Sequence, residues 1–130
     1  FGFAGALATE LKQGDLCWFE ELHCLHEPVL STEAQGFSRP RLGRLLTSST
    51  IVAQQRERVE LRAQTQADAV DMEAYWLARE LQSYGRQLSC CRVISDDGRE
   101  DLPAWVVGLF EAKTSRQMIQ RALVSVVTHR

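Results

Sequence analysis

Two short segments of this 130-residue chain carry residue types that could do chemistry on a small molecule. Residues 71–73 read Asp-Met-Glu, where a short apolar run gives way to a helical pattern, and residues 95–97 read Ser-Asp-Asp after a second apolar run. A carboxylate can accept hydrogen bonds from hydroxyl groups, and a protonated carboxyl can act as a general acid. Each segment is therefore a candidate for one of these two roles.

The first segment has two interpretations. In the first turn of a helix, Glu73 would complement the helix dipole, which is worth about 0.3–1 kcal/mol. Alternatively, Glu73 could accept hydrogen bonds from a pair of neighbouring hydroxyls, such as those of a ribose. Met72 is either a core residue or a flexible thioether that packs against the apolar face of the same sugar.

The second segment also has two interpretations. Ser-Asp-Asp-Gly is a good turn sequence, and turn formation alone could explain Asp96. A carboxyl at a strand end that is partly desolvated and near another acid retains its proton more readily. Asp96 could then protonate a leaving group near neutral pH. Asp97 competes for this role and is predicted to face solvent.

The elements that must position these segments alternate between strands and helices. The patterns predict a strand end at 1–7, strands within 14–22, 44–52, 67–70 and 88–94, and helices at 53–65 and 73–85, after Pro103 and after Thr114. This alternation favours an α/β layered domain with a largely parallel sheet, in which ligands gather outside the carboxyl ends of the strands. Both acidic segments, the hydroxyl groups at 48–50 and the glycines at 2–5 are therefore expected to converge on one rim.

Composition limits the classes of function. A chain of 130 residues that is 45% hydrophobic and 25% charged is sufficient for one domain with a core. The net charge of -2 gives no field that would attract nucleic acid or an anionic membrane. No apolar run reaches the length of about 18 residues that a membrane span requires. Neither a nucleic-acid partner nor a membrane span is therefore predicted.

The cysteines and histidines favour neither a metal site nor a disulfide scaffold. The spacing of the four cysteines fits neither a zinc site nor a disulfide-dense scaffold. They are therefore interpreted as reduced, mostly buried thiols of a cytoplasmic protein: Cys17, Cys24, Cys90 and Cys91. His-Cys-Leu-His at 23–26 lacks a fourth ligand for a metal, and no metal is predicted.

Taken together, the motifs resemble those of the purine nucleoside phosphorylase and nucleosidase superfamily. Residues 1–7, followed by Lys-Gln-Gly-Asp-Leu, resemble its Gly-x-Ala-Gly-Gly-Leu turn and the Gly-Asp strand after it. Residues 47–52 resemble its base-pocket segment, and Val-Asp-Met-Glu at 70–73 and Ile-Ser-Asp at 94–96 resemble its two signatures. The later Leu-Pro makes a looser match to the hopanoid-associated phosphorylase group.

The resemblance implies a single three-layer α/β/α domain over residues 1–130, with a mixed, largely parallel sheet that lacks the N-terminal part of the family fold. It implies cleavage of a ribosyl bond in a nucleoside-like substrate, with Asp96 as general acid and Glu73 on the ribose hydroxyls. The other residues implied to contact the substrate are Met72 at the sugar, Ile51 and Val52 at the base, and Gly5, which permits close approach. Phosphate is a possible co-substrate, no other cofactor is implied, and the family assembles as homo-oligomers.

Two departures favour an alternative function. Phe3 stands where many relatives have a small or hydroxyl residue near phosphate or water, and Ala6 replaces the second glycine of the turn. The family residues that contact phosphate would precede Phe1. The alternative is a non-catalytic nucleoside-binding or assembly domain that keeps the ribose carboxylate but lacks the nucleophile site.

Overall fold

A computed structural model describes residues 1–33 and 41–111 of the chain. The last predicted helix, after Thr114, lies outside these residues. In the described part the elements are β1 Phe3–Ala6, β2 Leu16–His23, β3 Leu30–Ser31, β4 Arg41–Thr47, α1 Gln55–Thr65, β5 Ala69–Asp71, α2 Ala74–Ser83, β6 Cys90–Asp96 and α3 Ala104–Glu111.

The hydroxyl-rich segment at 48–50 is a connection rather than the end of a strand. β4 stops at Thr47, whereas the sequence pattern predicted a strand through residue 52. The backbone N–H of Thr50 lies 3.3 Å from the Ser48 hydroxyl oxygen, which accepts its hydrogen bond. Such local side-chain bonds compete with the pairing of strands and favour turns. The segment after β4 is therefore free to turn towards α1.

The sheet is the middle of three layers, as predicted. Leu45 and Leu46 are both buried, but they belong to different apolar clusters because successive side chains of a strand face opposite ways. The cluster of Leu45 includes Tyr75 of α2, and Leu61 of α1 packs against the cluster of Leu46. One helix therefore covers each face of β4.

The sheet is mixed, and it closes on itself. Its order is β3-β2-β4-β5-β1-β6, and β2 also pairs with β6, so that five strands form a ring with β3 added outside it. Among the described strands, the pairs β1–β6, β2–β4 and β4–β5 are parallel, and β1–β5, β2–β3 and β2–β6 are antiparallel. Parallel pairs are thus not a majority, although the alternation of strands and helices had predicted a largely parallel sheet.

The direction of β1 corrects the expectation of one common rim. β1 is antiparallel to β5 and parallel to β6, so the carboxyl ends of β5 and β6 point in opposite directions. Both still reach β1, because Gly5 is opposite Val70 on one side and Asp96 on the other. The register between β1 and β6 shifts between Ala4 and Gly5, an irregularity of the kind often found beside active sites.

Helices α1 and α2 each bury a side chain that carries polar groups. In α1 the apolar Val59 is 62% exposed, and the buried residue of the helix is Arg58. In α2 Leu77 is exposed, whereas Tyr75 is buried and its hydroxyl donates to the Pro28 carbonyl at 2.7 Å. In both helices a long side chain with polar groups enters the interior because backbone acceptors meet it there.

Large apolar side chains remain on the surface of the described residues. Trp76 and Trp105 are exposed, and the homo-oligomeric assembly that the resemblance implies stays a prediction. Over residues 1–33 and 41–111, none of the helices combines the length and apolar character that crossing a membrane demands.

Candidate functional site

Asp71 ends β5 and holds the start of α2. Its Oδ1 accepts a hydrogen bond from the Thr47 hydroxyl at 2.7 Å, and its Oδ2 accepts one from the backbone N–H of Ala74 at 3.1 Å. The Thr47 oxygen in turn accepts from the backbone N–H of Tyr75 at 3.0 Å. Side-chain oxygens at a helix start satisfy N–H groups that have no partner within the helix. Asp71 and Thr47 thus provide this capping, although neither is part of α2.

A buried arginine completes the surroundings of Asp71. Nε and Nη2 of Arg92 each lie 3.0 Å from Oδ2 of Asp71, and Nη1 donates to the Cys91 carbonyl at 3.0 Å. The side chains of Arg92 and Asp71 are 4% and 2% exposed. A charge pair this deep is tolerable because both members also have further hydrogen bonds.

Glu73 is on the open side of this network. It occupies the N-cap position of α2, but its side chain makes no capping hydrogen bond. The side chain is exposed and makes no hydrogen bond or ion pair within the described residues. A Cβ at Gly2 would be 3.3 Å from Oε1 of Glu73 and 3.2 Å from the guanidinium of Arg92. The carboxylate therefore faces the start of β1, beside half-buried Met72.

Asp96 lies on the other side of β1. Its Oδ1 accepts a hydrogen bond from Nη1 of Arg58, and its Oδ2 lies 3.0 Å from the Ser95 hydroxyl, which also lies 3.2 Å from the Ala4 carbonyl. The charged neighbour of this carboxyl group is thus a guanidinium, where the sequence analysis had expected another acid. The Asp96 side chain is 25% exposed, so one side of it remains open.

The open side of Asp96 meets a concavity of about 500 Å³, which is lined by residues 96–103 and opens to solvent. Glu73 and Met72 do not line this hollow. Leu102 donates its backbone N–H to the Ala53 carbonyl at 2.8 Å, which joins the wall of the hollow to the segment before α1. Of the predicted site residues, Asp96 therefore lines this hollow.

The predicted base-side residues also lie near Asp96. Val52 is buried among apolar side chains, and its carbonyl accepts a hydrogen bond from Nε of Arg58 at 3.0 Å. Ile51 is half-buried. A Cβ at Gly5 would be 3.0 Å from Nη1 of Arg58 and 3.2 Å from Oδ2 of Asp96, so the glycine leaves room for both groups.

Sequence reasoning missed the two arginines. Arg92 had a usable signal, since it is the one charged residue in the apolar run Leu-Ser-Cys-Cys-Arg-Val-Ile at 88–94. Arg58 had none, because it is one of three arginines in the polar helix α1, with Arg56 and Arg62. Both proved to be partners of aspartates that the sequence analysis had considered.

The fold and the order of these segments define the class of protein. The chain belongs to the phosphorylase superfamily, whose family model matches residues 20–127. The superfamily predicted from the signature motifs is therefore confirmed, whereas the hopanoid-associated group stays a prediction. No curated protein matches the chain.

Solved structures show similar folds. The 5'-methylthioadenosine/S-adenosylhomocysteine nucleosidase of Helicobacter pylori, complexed with a pyrrolidine compound, has a TM-score of 0.67 at 22% identity over 95% of this chain and 66% of its own. A futalosine hydrolase mutant of Helicobacter pylori has a TM-score of 0.66 at 21% identity, with the same coverage. A putative methylthioadenosine nucleosidase of Weissella paramesenteroides has a TM-score of 0.65 at 18% identity over 76% of this chain and 57% of its own. The chain thus spans 57–66% of the length of these structures.

Proposed function

We propose that the full-length protein cleaves the ribosyl bond of a nucleoside-like substrate, with Glu73 on the ribose hydroxyls and Asp96 as proton donor to the leaving base. The supporting observation is the placement of these two carboxylates along β1, one facing Gly2 and the other facing Gly5. Three residues of extended chain span about 10 Å. A nucleoside lying along β1 would therefore present its sugar to one carboxylate and its base to the other.

The two carboxylates are suited to different parts of the reaction. The carboxylate oxygens of Glu73 accept no hydrogen bond from residues 1–33 or 41–111, and they match the two donors of a ribose diol. Ribosyl transfer passes through an oxocarbenium-like transition state, and the leaving base gains negative charge as its bond to C1′ breaks. A proton from Asp96 neutralises that charge.

The remaining positions predicted to contact the substrate follow from the same placement. Met72 packs against the apolar face of the sugar next to Glu73, and Ile51 flanks the base. Val52 also flanks the base, and its carbonyl accepts a hydrogen bond from Arg58. Gly5 keeps the space between base and backbone clear.

The similar structures support a choice of the first substrates to test. Proteins with this fold include nucleosidases for 5'-methylthioadenosine and S-adenosylhomocysteine, so purine nucleosides with a 5'-thioether are the first substrates to test. The nucleophile is water or phosphate, which gives a free sugar or a sugar 1-phosphate. Assembly as a homo-oligomer is part of the proposal, and the exposed Trp76 and Trp105 give it a surface.

The test uses the full-length protein with 5'-methylthioadenosine, adenosine or inosine, each with and without phosphate. Chromatography is expected to show release of free base, and the form of the sugar identifies the nucleophile. Asp96→Asn is expected to lower turnover by about 10²–10⁴-fold. Binding should change much less, because protonation matters mainly in the transition state. Equal losses in Asp96→Asn and Asp97→Asn, the matched control, would remove Asp96 from the mechanism.

A second candidate function has one observation in its favour. The contact between Arg58 and Asp96 gives the proposed acid a permanent cationic partner, which suits a site that binds but does not cleave. A non-catalytic nucleoside-binding or assembly domain would bind 5'-methylthioadenosine in calorimetry without releasing adenine. This alternative would be rejected if the wild-type protein releases the base, at whatever rate, and Asp96→Asn does not.

A further inference from the structure

Arg58 connects the three segments that form the base side of the proposed site. Its Nε donates to the Val52 carbonyl at 3.0 Å, in the connection before α1. Its Nη1 donates to the Ala6 carbonyl at 3.3 Å, at the end of β1, and to Oδ1 of Asp96, at the end of β6. One side chain thus fixes the relative positions of three chain segments that are distant in sequence.

Two glycines leave room for the guanidinium group of Arg58. A Cβ at Gly5 would lie 3.0 Å from Nη1 of Arg58, and a Cβ at Gly98 would lie 3.1 Å from the same atom. Gly98 has φ +68° and its Cβ would be only 2.6 Å from the Ala6 carbonyl oxygen, so a side chain is excluded there on two grounds. The backbone on both sides is therefore shaped around the side chain of Arg58.

The arginine is enclosed, whereas its partner is open. The Arg58 side chain is 4% exposed, and that of Asp96 is 25% exposed. A ligand in the hollow at 96–103 would therefore meet the carboxyl group and not the guanidinium. Any effect of Arg58 on the reaction has to pass through the groups that it holds.

We infer that Arg58 is a positioning residue for the proposed reaction, which aims the Asp96 carboxyl group at the leaving base and holds the Val52 segment beside it. The inference rests on the proposed function. With Oδ1 held by Arg58, the group left to face the base is Oδ2, which already lies beside Gly5 and the Ser95 hydroxyl. A displacement of about 1 Å in a reacting group can cost about 10²-fold in rate. Loss of Arg58 should therefore reduce turnover even in protein that remains folded.

The experiment compares three single variants of the full-length protein with 5'-methylthioadenosine as substrate. Arg58→Met keeps the length of the side chain but removes every donor, and it is expected to lower kcat about 10²-fold with a smaller change in KM. Arg58→Lys keeps the charge and should restore part of kcat. Arg56→Met is the control, since Arg56 is exposed on the same helix and pairs only with Glu60 among the described residues. Circular dichroism and thermal unfolding establish the folded fraction to which each kcat is referred.

A double variant separates positioning from general destabilisation. If Arg58 acts through Asp96, adding Arg58→Met to Asp96→Asn should lower kcat little further, because residues that act as a unit are not additive. A full additional 10²-fold loss in the Asp96→Asn background would overturn the inference. So would a folded Arg58→Met variant with the kcat of the wild-type protein.

The design distinguishes the inference from the proposal on which it rests. If the wild-type protein releases no base from any of the test nucleosides, the proposed function fails and the positioning role fails with it. If the wild-type protein releases base and Arg58→Met does so equally fast, the proposed function stands and the inference alone is rejected.

Discussion

Two buried arginines hold two aspartates at strand ends, and the comparison shows how two similar ion pairs differ in their access to solvent. Asp71 accepts hydrogen bonds from Arg92, from Thr47 and from the start of α2, and its side chain is 2% exposed. Asp96 has Arg58 and the neighbouring Ser95 hydroxyl, and a quarter of its side chain is exposed. The first carboxylate has no free side for a ligand, whereas the second has one that faces a hollow. Similar partners therefore leave one carboxylate enclosed and the other open to solvent, and the role proposed for Asp96 depends on that difference.

The largest expected effect is on stability, and it should separate the two pairs. Arg92→Met leaves Asp71 charged and buried without its cation, which should cost about 3–5 kcal/mol of unfolding free energy. Arg58→Met should cost less, about 1–3 kcal/mol, because water can reach Asp96. Urea denaturation of both variants measures the difference. Equal losses would contradict the distinction, and Asp71→Asn combined with Arg92→Met should be milder than Arg92→Met alone.

Glu73 should show the reverse behaviour, with a loss of function and none of stability. Glu73→Gln removes a charged acceptor from the proposed ribose contact, which should cost about 1.5–3 kcal/mol, or roughly 10–100-fold in kcat/KM. The unfolding free energy should be unchanged, since the side chain is exposed and forms no hydrogen bond or ion pair within the described residues. Glu80→Gln, exposed on the same helix, is the matched control. A fall in stability without a fall in activity would assign Glu73 to the fold.

A substitution at Asp101 should destabilise α1, which carries Arg58, without destabilising α2. Its Oδ1 accepts a hydrogen bond from the backbone N–H of Gln55 at 2.7 Å, while the N-cap residue Gln54 forms no capping bond. Asp101→Ala should therefore cost about 1 kcal/mol, as the loss of a helix cap does. Hydrogen exchange should increase in α1 and not in α2, which Asp71 caps. Glu100→Ala should leave both helices unchanged, and faster exchange in α2 would show that the two sides are coupled.

The smallest effect concerns the cysteines. Burial raises the pKa of both Cys17 and Cys90 to about 11, so both stay protonated and unreactive at pH 8. Iodoacetamide should leave them unmodified in the folded protein, as mass spectrometry would show, and should modify them in guanidinium. In Arg92→Met, modification of Cys90 should rise only where β6 opens, because loss of the Arg92 charge by itself raises the pKa of this thiol further. Rapid modification in the native wild-type protein would contradict this burial.

The sequence predicted the elements of the fold better than their directions. Apolar runs and periodicity located β6, α2 and the layers, because burial patterns depend on neighbours along the chain. The reversal of β1 relative to β5 depends on pairing between residues that are distant in sequence, and no local pattern records it. The single rim expected from a parallel sheet was wrong for this reason.

In the candidate site, the acidic residues could be predicted from the sequence, but the arginines that contact them could not. The motifs singled out Glu73 and Asp96 because their acidic side chains follow strands, and the structure places both beside β1. Their partners could not be inferred, since the burial of Arg58 depends on Gly5, Ala6 and Gly98, which are remote from it in the sequence. The one buried charge with a local signal was Arg92, within an apolar run.

The position of β1 in the chain also determines how early during synthesis the sheet can be completed. β1 is near the beginning of the described chain, but both of its neighbours in the sheet, β5 and β6, are formed by later residues. Until Asp96 has left the ribosome, Gly5 has no partner on that side and Arg58 has no carboxylate to hold. A nascent chain would therefore carry β1 without its β6 partner until residues 90–96 have been synthesised, and pairing over so long a sequence separation is slow. The strand that completes the sheet thus also brings Asp96 to Arg58.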